Sequence, residues 1–407
     1  MKKVDYNTKR QPLKSAAETR ERSRGKFMYD LVVKNGHLKD YGASLDRSTD
    51  IGIRDGKIAC IGSIPETEAA QLVNAQGHLV LPGLIDYHMH ALTTACSFAL
   101  KPELPAFTNG VTTIVDAGSV GNAGFENAYF SDVLKSQVNI KVMLNICSAG
   151  QLAHYYNEVL DPTLFQEADI LRLCEKYGDE IVAIKLRQSK SITGELGLAP
   201  LRETVRIAEK AGLRVVVHAT DSPGEVKDTL DLLRPGDVYC HVFQQVGNTI
   251  IGEDGHVLPE VFEAQKRGVL FDCAHGSLNF SLDVAARAFR DGFYPDIISS
   301  DLSQLSFNKA PGYGLAYMIS ELLSLGMEED EVFRRVTVTA ARLIGQDGVF
   351  LAEGRIADLA VLDVEDHSFR MKDRYGNVAP GTKMLFPRMT IRNGKIVYRQ
   401  MGYLDGM

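Results

Sequence analysis

Six residues in this chain carry chemistry that metal ions use, and they follow one another at intervals that suit a single site. The run Asp86-Tyr87-His88-Met89-His90 comes directly after the apolar stretch Leu79-Val80-Leu81-Pro82-Gly83-Leu84-Ile85. Side chains alternate along a strand with period two, so His88 and His90 share a face and can grip one cation between them. Lys185 ends Ile181-Val182-Ala183-Ile184, His218 ends Arg214-Val215-Val216-Val217, His241 ends Asp237-Val238-Tyr239-Cys240, and Asp301 ends Ile297-Ile298-Ser299-Ser300. Four of the chain's 10 histidines therefore stand at the ends of strand-like runs. Neutral imidazoles suit zinc and neighbouring divalent metals. A carboxylate such as Asp301 adds negative charge and can accept a proton. Lys185 is unusual, because an ammonium ending a buried strand is costly without a partner. Its amine can instead take up carbon dioxide, and the resulting carbamate could bridge two metals about 3.5–4 Å apart. A lone histidine or lysine at a strand end is more often a packed or solvent-reaching residue; the case rests on six together.

The elements that must position these residues alternate. Apolar strand-like runs fall at Val111-Ala117, Ile140-Cys147, Ile181-Lys185, Leu213-His218, Val238-His241, Val269-Cys273 and Ile297-Asp301, and the run before His88 makes eight. Helical periodicity lies between them, clearest in Leu201-Ala211, stopped by Gly212, and in Val332-Ile344. Eight strands alternating with helices over about 250 residues predict an α/β protein, a (β/α)8 TIM barrel whose site lies at the C-terminal strand ends. An open doubly wound sheet is the rival, but no Gly-x-Gly-x-x-Gly turn opens the first unit.

The two ends differ from this middle. Tyr29-Gly36 reads as a strand closing in an Asn-Gly turn, and Asp50-Gly62 as two strands around Asp55-Gly56. Ala357-Asp363 and Met389-Tyr398 repeat the style, the latter turned at Asn393-Gly394. The expected organisation is a small β-sandwich from 28–82 and 348–403, with the barrel over 83–347. Residues 1–27 hold nine Lys/Arg against three Asp/Glu and few large apolar residues, so a solvated basic arm is expected there.

The bulk composition bounds the function. With 407 residues, 45% apolar and 24% charged, the chain has an ordinary globular balance. A net charge of -7 gives no overall footprint for nucleic acid. No apolar stretch is long enough to span a membrane, and with no apolar core behind Met1-Lys2-Lys3-Val4-Asp5 a secretory signal is not expected. Six scattered cysteines without a Cys-x-x-Cys read as reduced thiols, pointing to a cytoplasmic protein.

With these residues in place, the sequence resembles the amidohydrolase superfamily of binuclear metal hydrolases. The order His-x-His, Lys, His, His, Asp carries the resemblance, together with Asp30-Gly36, Leu81-Asp86 and Gly354-Val361. Ala183-Arg187 and Phe271-Gly276 are similar to its deacetylase branch, often labelled dihydroorotase-like, although Ala274 stands where that branch tends to have glycine. The resemblance implies that His88, His90 and Asp301 hold one metal, that His218 and His241 hold the other, and that a carboxylated Lys185 and a hydroxide bridge them. The metals implied are two divalent ions, Zn2+ first and Mn2+ or Fe2+ as alternatives. Asp301 would serve as catalytic base and then acid.

Three residues are expected at the substrate. Arg187 shares the face of Lys185 and suits a substrate carboxylate, or else forms a structural ion pair. His275 could hydrogen-bond substrate or orient a ligand. Tyr155 could donate to a developing oxyanion, or simply pack in its loop. The expected activity is hydrolysis of an amide or ester in a small acylated carboxylate, with a cyclic amidase of dihydroorotase or hydantoinase type as the nearest alternative. A nucleobase deaminase is disfavoured by Lys185, and a non-catalytic scaffold by the complete set of six. Relatives are usually dimers or larger, so a homo-oligomer is expected.

Overall fold

The computed structural model describes residues 28–153, 156–401 and 403. Its centre is a curled sheet of seven parallel strands. In chain order these are β6 (Leu84–Met89), β7 (Val111–Gly121), β8 (Asn139–Asn145), β9 (Ile181–Arg187), β10 (Arg214–His218), β11 (Val238–Cys240) and β12 (Leu270–Asp272). They are buried on both faces, as β7 shows over its whole length, which is why they read as continuous apolar runs rather than alternating ones.

The eighth expected strand is reduced to a closing seam. Residues 297–302 bridge Asp272 on one edge and Met89 on the other, both in parallel. Cys273 N donates to Ile297 O over 3.0 Å, Asp301 N to His88 O over 2.7 Å and His90 N to Leu302 O over 2.8 Å. The sheet thereby closes into a barrel, with helices packed outside it. One of these, Ala199–Lys210, buries Leu201, Thr204, Ile207 and Ala208 at helical spacing, and the chain leaves it through Gly212 at φ 67°. The Val332–Ile344 pattern forms helix Glu329–Arg334, a π-helical turn and Ala340–Leu343 in succession.

Both chain ends join in a second, mixed sheet of eight strands. These are β1 (Leu31–Asp40), β2 (Leu45–Arg54), β3 (Lys57–Gly62), β4 (Leu72–Asn74) and β5 (Leu79–Pro82), with β13 (Leu359–Lys372), β14 (Val378–Arg392) and β15 (Lys395–Arg399). Leu31, Ile53, Ile58, Val80, Val361 and Met389 share one core, so the sheet wraps a single apolar layer supplied from both ends. Asp55-Gly56 and Asn393-Gly394 form the expected left-handed turns, and a Cβ on Gly394 would lie 2.8 Å from the Gly56 Cα. Asn35-Gly36 does not turn. Strand β1 runs through it, with Asn35 at φ 59° and a register slip that makes a bulge. The expected basic arm, 1–27, lies outside the described residues. Strands β13 and β14 extend as a hairpin past their pairing with β5 and β15, and the extension lies on the helix Leu315–Ser324, where Leu385 N donates to Ser320 Oγ over 2.9 Å.

Candidate functional site

Side chains at alternate positions fill the barrel interior: Ile85, Tyr87, Ala183, Val216, Val238, Cys240 and Ile297 belong to one buried cluster. Continuing the alternation on β9 and β10 brings Lys185 and His218 to the mouth. On β6 the register slips between Asp86 and Met89. Tyr87 therefore fills the interior below while His88 and His90 both line the cavity above it. Met89 lies with the outer core, and Cys96 is buried. His241 follows inward-facing Cys240 and would point outward by parity. Its backbone is left-handed at φ 67°, and its ring lies in the cavity wall. Asp301 has φ 50°. Such conformations are uncommon for residues other than glycine and concentrate at functional sites.

The six residues converge on one cavity of about 110 Å3. His88 Nε2 and His90 Nε2 lie 3.4 and 3.5 Å from Asp301 Oδ1. The ring centroids of His88 and His241 are 5.2 Å apart, and those of His218 and His241 4.5 Å. Lys185 is 2% exposed, with Nζ 3.7 Å from Cys240 Sγ. Among the described residues no carboxylate pairs with it. Its stem fits because Gly118 has no side chain: a Cβ there would lie 2.5 Å from Lys185 Cγ.

Each imidazole has one nitrogen engaged away from the cavity. His90 Nδ1 is 2.9 Å from Ser119 Oγ, which itself donates to Asp116 Oδ2 over 2.8 Å. Ser119 must then accept from His90 Nδ1–H, leaving the Nε2 lone pair free. Asp116 also accepts the backbone N–H groups of Ala91 and Leu92, fixing the turn after His90. His241 Nδ1 donates to Ala274 O over 2.8 Å. Ser189 Oγ donates to Thr220 O, so it accepts from His218 Nε2–H at 3.1 Å and leaves Nδ1 as the donor atom. His88 Nδ1 lies 3.2 Å from Cys240 Sγ and 3.5 Å from Asp272 Oδ2. Holding the second ring nitrogen in this way fixes tautomer and orientation in metal sites.

The electrostatics agree. Burial holds His88 and His218 well below the ordinary imidazole value and His241 down to about 3, so all three stay neutral. Burial pushes Asp301 upward, and protons on His90, His88 and His241 pull it well below the usual carboxylate range; a cation held among the neutral rings would act in the same direction. Deeper in the barrel, burial raises Asp272 to about 6 and Asp86 to about 7, and it raises the Cys240 thiol well above its ordinary value. Neutral imidazoles, an ionised carboxylate and a buried lysine without a counter-ion form a donor set that fits divalent cations.

The substrate-side expectations fare differently. Arg187 lines the cavity, but its Nε and Nη2 grip the buried Glu158 at 2.8 and 2.6 Å. The ion-pair alternative is thus realised, and only the Nη1 side remains for a ligand. His275 does not face the cavity. It is 1% exposed, stacks on Phe280 and lies 2.8 Å from Glu321 Oε2. Strand β12 ends at Asp272, and Ala274 at φ 36° turns the chain so that His275 packs outward. The expected contact of His275 with substrate is withdrawn on this geometry. Tyr155 lies outside the described residues.

Asn279 is a cavity residue that the sequence reading missed. Its Nδ2 donates to Asp301 Oδ2 over 2.9 Å, and its Oδ1 accepts from Thr220 Oγ1 over 2.9 Å. It sits in a loop without periodicity, so no spacing marks it. Cys240, Asp272 and Ser189 were missed as well, although inward parity at Cys240 was open to notice.

Comparison with known proteins accords with the geometry. The sequence model of the Amidohydrolase family matches residues 79–397. A deacetylase of Agrobacterium fabrum is 34% identical over 356 residues, covering 86% of each chain. A deacetylase of Enterococcus faecalis is 27% identical over 373 residues, covering 90% of this chain and 99% of its own. Among solved structures, a dihydroorotase superposes with TM-score 0.84 at 30% identity, over 91% of this chain and 99% of that one. An adenine deaminase superposes with TM-score 0.83 at 27% identity, over 91% and 100%. A family match over most of the chain, joined to this barrel and these relatives, means that the chain belongs to the amidohydrolase family.

Proposed function

We propose that this hydrolase cleaves the amide or ester bond of a small acylated carboxylate, as a deacetylase does, with Asp301 moving the proton. The observation that carries the reading is the convergence of His88, His90 and Asp301 Oδ1 beside His218, His241 and an uncompensated Lys185. His88, His90 and Asp301 would hold one divalent cation and His218 and His241 a second. A carbamate on Lys185 would put two oxygens at the tip of a stem whose amine no carboxylate pairs with among the described residues. Cations bound there lower the pKa of water toward neutrality and polarise a carbonyl.

The chain's own groups do the rest. Asp301 is ionised and accepts a proton from the attacking water, then returns it to the leaving nitrogen or oxygen. Asn279 fixes Oδ2 and so presents Oδ1 toward the histidines. Arg187 offers its Nη1 side to a carboxylate on the substrate, while Glu158 locks the guanidinium plane. The deacetylase names of two relatives support the acyl reading.

A cyclic amidase is the second reading, favoured by the solved dihydroorotase. The test is release of free acid from a panel of N-acyl and O-acyl carboxylates, lost on chelation and restored by divalent metal. Turnover of cyclic amides alone would transfer the reading to the alternative, and no turnover of either class would overturn it.

A further inference from the structure

The β13–β14 hairpin reaches from the mixed sheet to the loop that follows β12. Its tip is tightly built. Asp373 is 3% exposed, and its Oδ1 accepts the backbone N–H groups of Tyr375 and Asn377, each over 2.9 Å. Its Oδ2 accepts from Asn377 Nδ2 over 2.7 Å and from the Leu282 backbone N–H over 3.0 Å. Leu282 opens the helix Leu282–Arg290, so the hairpin carboxylate caps the end of the loop. Tyr375 then donates its hydroxyl to Leu278 O over 2.9 Å.

These two bonds flank Asn279. Upstream, His275 N and Gly276 N are tied to Ser299 O and Ser300 O; downstream, Ser281 N is tied to Phe243 O. Between them, among the described residues, the hydrogen bond that reaches the backbone of 277–280 is the one from Tyr375. The next residue along from Leu278 places its amide on Asp301 Oδ2. Phe280 packs on His275 and Phe243, and Asn279 Oδ1 accepts from Thr220, but among the described residues the backbone just before Asn279 is hydrogen-bonded at this one point, so its loss is felt at the Asn279 side chain.

We propose that Tyr375 and Asp373 are positioning residues: the hairpin tip holds the 277–282 loop so that Asn279 stays on Asp301. This rests on the reading of Asp301 as the proton-transfer group. The tip thus makes the mixed sheet part of the catalytic apparatus, although none of its strands lines the cavity.

The experiment is a double-mutant cycle on the metal-loaded, full-length enzyme, with hydrogen exchange beside it. Tyr375→Phe removes one hydroxyl and should lower kcat about 10- to 100-fold, the range set by small misplacements of catalytic groups. In an Asn279→Ala background the same change should cost nothing further, because it acts through Asn279. The peptide spanning 277–282 should exchange faster in Tyr375→Phe than in the parent. An unchanged kcat, or a full additive loss in the Asn279→Ala background, would overturn the proposal. Exchange does not depend on turnover. If the parent hydrolyses no acyl substrate, the proposed function fails, while unchanged exchange in Tyr375→Phe is what rejects the positioning role itself.

Discussion

His90 Nε2 lies 3.5 Å from Asp301 Oδ1, the same oxygen that His88 Nε2 approaches to 3.4 Å. One carboxylate oxygen therefore faces both imidazoles of the His-x-His pair, while Asn279 holds the other. Asp301→Asn keeps the shape and removes the proton acceptor. It should lower kcat about 10²- to 10⁴-fold, the usual contribution of a positioned acid–base group, with the fold intact by circular dichroism. Retention of parental kcat would remove Asp301 from the proton path.

Lys185→Ala tests the carbamate. The substitution empties the space that Gly118 leaves for the lysine stem and removes the candidate bridge. Activity should be abolished and bound metal depleted, with partial recovery when short carboxylic acids are added. Steady-state assays with and without those acids check this, and full turnover of the variant would show that the lysine does not bridge.

Ser189→Ala tests the hold on His218. The serine hydroxyl fixes the ring so that Nδ1 faces inward. Losing a partner of this kind typically costs about 10- to 100-fold in metal affinity. Competition titration against a chelating dye measures it, and unchanged affinity would mean that His218 needs no such support.

The buried acid–base groups set opposite stability slopes in metal-stripped protein. His241 falls from an ordinary 6.5 to about 3 on folding. Its contribution is therefore complete above pH 6.5 and is lost as pH falls toward about 3. Asp272 rises from 3.8 to about 6, so the folded protein binds the extra proton and the contribution is lost as pH rises through that window. Asp272→Asn removes the second trend only. Urea unfolding of the stripped variant should then show a steeper loss of stability on acidification from about 6 to 3.8 than the stripped parent. An equal or shallower slope would contradict the assignment.

The parallel strands were legible because burial on both faces leaves apolar runs that end at His88, Lys185, His218 and His241. The eighth strand was legible as a run at Ile297-Asp301 but is only a seam, since its length is set by edges that meet from both sides. Asn35-Gly36 carries the composition of a turn and sits in a bulge, because pairing with β2 on both sides of it outweighs local preference. His275 carries the pattern of a strand-end site residue, yet the left-handed Ala274 turns the chain first. Asn279 and the Tyr375 contact depend on loops and a distant hairpin, which no local spacing encodes.

Metal content tests the central claim most directly. Freshly purified parent protein should carry two divalent ions per chain, the stoichiometry of a two-metal hydrolase, and Lys185→Ala and Asp301→Asn should carry fewer. A parent that takes up no divalent metal in stoichiometric amount, even after reconstitution with zinc and bicarbonate, would contradict the account.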